Sequence, residues 1–151
     1  MGQWLLCQLS RPVIVVDWSD VYEGRRFVML TTGIPMGGRT LTLYEEVYPI
    51  KQYNNPKAHR QFLQSLAQVM PKNKRPIIVT DAGFRGPWFK EVQALGWDWV
   101  GRLRRGGHCS LDQGDTWHDI NWFYRQATRT IKYIGSALLT TNQPYEGACI
   151  L

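Results

Sequence analysis

Two short aliphatic runs in this chain end in the same way. VIVVD spans residues 13–17 and PIIVTD spans 76–81, each setting β-branched residues directly before an aspartate. Runs of this length and composition, bounded by turn-forming residues, read as buried strands. A strand that is apolar on both faces belongs inside a sheet covered by helices. A carboxylate at the end of such a strand sits half in the core and needs partners. If the two runs are neighbouring parallel strands, Asp17 and Asp81 lie side by side at their carboxyl ends, where ligands collect in open α/β sheets.

The surrounding sequence supports that arrangement. RRFVMLTTGI (25–34) and RTLTLYEEVYP (39–49) are β-rich, the second alternating Leu41, Leu43 and Val47 on one face, and PMGG between them supplies a turn. A hairpin is expected there. Asn55-Pro56 reads as an N-cap followed by a first-turn proline, and Phe62, Leu63, Leu66, Ala67 and Met70 recur at helical spacing until Pro71, predicting a helix over 56–70. After Pro87, the residues Trp88, Val92 and Leu95 suggest a short helix closed by Gly96, and WDWVGRL (97–103) reads as a returning strand. From 106 to 130 no period is visible, and 133–151 is β-like again. The order β, β, β, α, β, α, β implies a mixed α/β fold, an antiparallel hairpin beside parallel strands joined by helices.

Length and charge narrow the chemistry. The 151 residues suffice for a core, and no apolar run approaches the roughly 18 residues of a membrane span. A soluble, cytoplasmic protein is expected. Cys7, Cys109 and Cys149 are odd in number and lack metal-site spacing, so they are expected to be plain thiols. Lysine and arginine outnumber aspartate and glutamate by 18 to 12, a net charge of +6 that favours a polyanionic partner such as nucleic acid. Arg102, Arg104 and Arg105 cluster in GRLRRGG, where guanidinium groups can lie along phosphates.

Two carboxylates close together repel, and both stay ionised only with positive charge between them. Oxygen-only ligands favour Mg²⁺ or Mn²⁺. A pair of such ions can activate the attacking oxygen and stabilise the leaving oxygen of a phosphodiester. Basic charge plus paired carboxylates therefore points to phosphoryl transfer on nucleic acid. Trp18 and Trp88, each close in sequence to one aspartate, are candidates to stack on a displaced base. His59, His108 and His118 have no zinc spacing and read as surface or hydrogen-bonding residues. Asp112, Asp115 and Asp119 do not fit a calcium loop and read as solvated loop charges.

The stretches VVDWSD, GRTLTLYEEVYP, KAHRQFL and IIVTDAGFRGPWFKEVQALGWDWVGRLR, in this order, resemble the DDE transposases of bacterial cut-and-paste insertion sequences, in insertion-sequence family four. The separation of 64 residues between the two aspartates fits that family. The resemblance implies a ribonuclease-H-like catalytic core, with Asp17 and Asp81 as the first and second carboxylates of a metal-binding triad. It also implies DNA as partner, both the element's ends and the target, with a homodimer an option in the intact family.

Departures from the family pattern shape the rest of the reading. The third carboxylate of that family is a glutamate in a Y-x2-R-x3-E-x6-K motif on a later helix, beyond a β-rich insertion, and no such motif occurs here. The chain resembles the middle of a transposase, cut at both sides: residues 1–11 a remnant of the upstream region, 12–105 a partial ribonuclease-H-like core, and 106–151 the start of the β-rich insertion. Such a fragment is expected to be inactive alone, with Glu91 the first residue to test should a third ligand lie within it. Removal of a covering layer also predicts an exposed apolar patch on one face of the sheet. The competing readings are a non-catalytic DNA-binding or regulatory remnant and another ribonuclease-H-like nuclease.

Overall fold

The computed structural model describes residues 6–21, 24 and 26–151. Residues 1–5 of the expected upstream remnant and Arg25, the expected first residue of the second strand, lie outside the described residues. The chain divides into two compact units, Met1–Arg102 and Leu103–Leu151.

The first unit is a five-stranded sheet of order β3-β2-β1-β4-β5. Its strands are β1 (Val13–Asp20), β2 (Phe27–Met36), β3 (Arg39–Pro49), β4 (Ile77–Thr80) and β5 (Asp98–Gly101). β1 runs antiparallel to β2 and parallel to β4, and β5 runs parallel to β4, so the sheet is mixed as expected. β2 and β3 form the hairpin. Gly37 and Gly38 make its two-residue turn with φ of 54° and 81°, a left-handed pair that only glycine adopts cheaply and that matches strand twist.

One boundary departs from expectation. β1 does not stop at Asp17 but continues to Asp20, because β2 pairs with it through Asp17↔Thr31, Trp18↔Leu30, Ser19↔Met29 and Asp20↔Val28. Only the parallel pairing ends beforehand, at Val16↔Thr80. Asp17 thus marks where β1 loses one neighbour and keeps the other.

Helix α1 (Pro56–Val69) follows β3 and helix α2 (Gly86–Ala94) follows β4. The Asn55 side chain caps α1 by accepting from the Lys57 backbone N–H at 2.8 Å. At the other end Met70 is extended, as a residue before proline prefers. α1 buries Ala58, His59, Phe62, Leu63 and Leu66. Tyr44 of β3 meets Phe62 at 5.2 Å between ring centres, and Trp99 of β5 meets Phe89 of α2 at 4.2 Å, so both helices lie on the same face of the sheet. Gly101 is small for a reason: a Cβ there would stand 2.5 Å from the Phe89 ring.

The opposite face reads differently. Successive strand residues point to opposite sides, so Ile14 and Val16 are buried under the helices while Val13, Val15 and Asp17 face away. On that second face Val47 is 52% exposed and Val100 56%. Aliphatic side chains are thus exposed on that face.

The second unit is a four-stranded antiparallel sheet of order β7-β6-β8-β9, built from β6 (His108–Ser110), β7 (His118–Asp119), β8 (Tyr133–Leu139) and β9 (Tyr145–Ile150), with a short helix α3 (Ile120–Tyr124). Its buried residues include Cys109, Ile120, Phe123, Ala137, Leu139 and Cys149. Strands of two and three residues are too short to show a period, which is why 106–130 looked irregular. Two aspartates there are not mere solvated charges. Asp112 Oδ1 accepts from Ser110 Oγ at 2.6 Å and from the Thr116 N–H at 2.8 Å, and these bonds hold its carboxyl down to about 2. Asp119 caps α3 by accepting from the Asn121 N–H at 2.7 Å.

Candidate active site

The parallel register of β1 and β4 is Val13↔Ile77, Ile14↔Ile78, Val15↔Val79 and Val16↔Thr80. The next residue of one chain segment is Asp17 and of the other Asp81, so the two aspartates stand side by side where the parallel pairing ends, Asp17 still paired with Thr31 of β2. Each has one carboxylate oxygen held by a nearby backbone amide. Asp17 Oδ1 accepts from the Trp18 N–H at 2.9 Å, and Asp81 Oδ1 accepts from the Gly83 N–H at 2.7 Å. Burial of its carboxyl pushes Asp17 above the usual carboxylate range, the Trp18 N–H pulls it back, and the negative charge of Asp81 adds to the rise. The last of these is the repulsion expected of two carboxylates sharing a site.

Behind the aspartates, on the helix side of the sheet, stands a cluster of rings. Trp18 Nε1 donates to His59 Nε2 at 3.3 Å. His59 stacks on Phe84 with ring centres 5.5 Å apart and meets Trp88 edge-on at 5.0 Å. Trp18 also packs against Tyr48 at 5.7 Å and Tyr53 at 5.4 Å. His59 is only 4% exposed, and desolvation drives its pKa down to about 4.

This cluster changes the expectation for the tryptophans. Trp88 is 1% exposed and belongs to the core, so it has no face to offer a base. Trp18 is half-buried and turned to the helix face, opposite to the side from which Asp17 projects. Closeness to an aspartate in sequence placed both rings behind the carboxylates, not beside them.

Glu91 is likewise elsewhere. It lies on α2, and its Oε1 accepts from Arg60 Nε at 2.9 Å and from an Arg60 terminal nitrogen at 2.5 Å, tying α2 to α1. Among the described residues no three histidine, cysteine, aspartate or glutamate side chains gather closely enough to share a metal ion. Arg102 follows β5 at the end of the first unit, and Arg104 and Arg105 open the second; all three are exposed.

Two residues of the site's sheet face were missed in the sequence. Thr31 is the cross-strand partner of Asp17, with its hydroxyl oxygen buried and unpartnered, and Glu45 is the partner of Thr31 one strand further out. Counting outward from the Gly37-Gly38 turn would pair Thr31 with Tyr44. A register shift at Thr32/Gly33 moves the pairing by one residue, and Gly33 inside β2 is its one mark in the strand's composition.

A five-stranded mixed sheet, helices on one face, and two aspartates abreast at the end of its parallel strands define a mixed α/β domain compatible with the ribonuclease-H-like core of DDE transposases. The family model "Transposase DDE domain" matches residues 8–143, and the chain belongs to that family. Its members are transposases, which bind DNA and generally use divalent metal ions. No curated protein matches the chain. Three solved structures of Ppx/GppA proteins from Aquifex aeolicus, one titled a phosphatase of the type II variant, are similar over 93% of this chain at 9%, 9% and 10% identity. Their TM-scores of 0.31, 0.32 and 0.30 carry no argument about function, and the chain spans about half of their length, 52%, 52% and 51%. No helix among the described residues is long and apolar enough to cross a membrane.

Proposed function

We propose that the chain carries the paired-aspartate part of the catalytic domain of a transposase of insertion-sequence family four, with Asp17 and Asp81 as the first two carboxylates of its triad. The observation that supports this most is the register of β1 against β4, which brings the two aspartates out of adjacent parallel strands together. The donor set suits a hard divalent cation. Each carboxylate has one oxygen engaged by a backbone amide and the other available, and the raised pKa of Asp17 reflects, after burial, a negative neighbour that a cation would neutralise. Mg²⁺ and Mn²⁺ accept one or two carboxylates and keep water for the remaining positions. Bound there, such an ion would polarise a phosphodiester and favour the ionised form of an attacking water or 3′ hydroxyl.

The chain's own residues have separate tasks in this reading. The Trp18 and Gly83 amides orient the carboxylates. Arg102, Arg104 and Arg105, with the overall charge of +6, attract DNA backbone in a salt-sensitive and sequence-indifferent way. In this reading no third carboxylate of the triad is assigned among the described residues. The absence of the Y-x2-R-x3-E pattern supports this, as does the commitment of Glu91 to Arg60. The chain is then part of a transposase, with 12–105 as partial core and 106–151 as the start of the insertion, and it neither cuts nor joins DNA alone.

Mn²⁺ binding followed by electron paramagnetic resonance tests the site, and incubation with labelled DNA carrying terminal inverted repeats tests the activity. The native chain is expected to bind Mn²⁺ and an Asp17→Asn, Asp81→Asn double variant to lose that binding, with no strand cleavage by either. Equal binding by both proteins overturns the assignment of the aspartates. Cleavage by the native chain alone overturns the reading of inactivity.

A further inference from the structure

His59 contacts ring systems next to both aspartates, and it comes from a third element, α1. On one side its Nε2 accepts from the indole of Trp18, whose backbone N–H is the donor that grips Asp17 Oδ1. On the other side its ring stacks on Phe84, whose preceding residue, Gly83, supplies the N–H that grips Asp81 Oδ1. Each carboxylate is therefore connected to the imidazole through an amide and a ring, by a hydrogen bond on the Trp18 side and by stacking on the Phe84 side. We propose that His59 is a positioning residue for the aspartate pair, fixing the spacing of Asp17 and Asp81 by clamping Trp18 and Phe84 against one ring.

The inference rests on the reading that these aspartates hold a divalent ion. It asks more of His59 than filling space. A phenylalanine, somewhat larger, keeps a ring in the same place, but it has no acceptor for the Trp18 indole. Nε2 accepts a hydrogen bond and so bears no proton, which places the proton of the neutral ring on Nδ1. Surroundings made of the Trp18, Phe84 and Trp88 rings keep the imidazole neutral. Removal of a group bonded directly to a metal ligand typically costs about 10–100-fold in metal affinity, and His59, one contact further back, belongs at the low end of that range.

The test is a double-mutant cycle read by Mn²⁺ affinity of the full chain, with the Asp17→Asn, Asp81→Asn variant as the blank. His59→Phe removes the acceptor and Trp18→Phe removes the donor, each preserving a ring. Both are expected to weaken Mn²⁺ binding about tenfold, and the double variant to be no weaker than either, since both break the same link. His59→Gln, which keeps an acceptor at similar reach, is expected to recover most of the affinity. It also carries the test should His59→Phe not fold. Native affinity in His59→Phe and Trp18→Phe, or losses that simply add, overturns the proposal while leaving the aspartate site intact. A native chain no better than the blank removes the site itself and the proposal with it.

Discussion

The backbone amide of Gly83 donates to Asp81 Oδ1 at 2.7 Å, and a Cβ on Gly83 would stand 2.9 Å from the same oxygen. The turn after β4 holds the carboxylate so closely that only a residue without a side chain fits behind it. Gly83→Ala is accordingly expected to displace the Asp81 carboxylate, which can swing, more than the backbone, which is held by β4 and α2. Mn²⁺ affinity should fall several-fold while the unfolding midpoint moves by less than about 1–2 kcal/mol in free energy. Titration of Mn²⁺ and urea unfolding on the same protein separate the two effects.

Glu91→Gln is expected to leave Mn²⁺ affinity unchanged, because the carboxylate serves Arg60 and not the aspartates. Arg60 is 62% exposed, so screening by solvent keeps the loss of stability small. A large drop in ion binding would mean that α2 delivers its glutamate to the site in another arrangement.

Stability should fall in mild acid through His59. Its folded pKa of about 4 lies below the ordinary 6.5, so the unfolded chain binds the proton more readily and stability grows as pH rises. The contribution is fully present above about pH 6.5, is lost as pH falls toward 4, and amounts to about 3 kcal/mol. The raised pKa of Asp17 acts in the opposite sense, favouring the fold at low pH. Urea unfolding at stepped pH values in an Asp17→Asn background isolates the histidine, and His59→Phe should flatten the slope between pH 6.5 and 4.

Thiol labelling should divide the cysteines. Cys7 is exposed, whereas Cys109 and Cys149 are buried in the second unit, where desolvation raises both thiols, Cys109 to about 11. A disulfide reagent at neutral pH is expected to modify one cysteine of three rapidly and the other two only as fast as the unit opens. Rapid reaction of all three would show the second unit to be loosely formed.

The sequence carried the elements whose signals are local. Asn55, Pro56 and Pro71 bracket α1 to within one residue of its expected end, and the glycine pair of the hairpin closes β2 onto β3 where PMGG suggested. What stayed hidden depends on neighbours far along the chain. β1 extends past Asp17 because of β2, and the partner of Thr31 depends on a register shift whose direction Gly33 alone does not give. Trp88 looked available because it is near Asp81 in sequence, and it proved to be core because α2 turns it under the sheet. His59 looked ordinary for the same reason in reverse. A lone histidine on a helix has no local mark of the three rings that will close around it.

β1 belongs to two kinds of pairing at once, and this sets an order of events in folding. Its partner β2 is the next strand along the chain, so the three-stranded meander β1-β2-β3 forms from nearby contacts. Its other partner, β4, puts Asp81 64 residues beyond Asp17. Closing a loop of that size costs roughly 4 kcal/mol of chain entropy before any contact rewards it, and such long-range pairings are the slow ones. A nascent chain showing only the meander therefore displays one aspartate and no site. The two carboxylates come together only after α1 has been made and β4 has emerged, which makes the junction of β1 with β4 a late event in maturation.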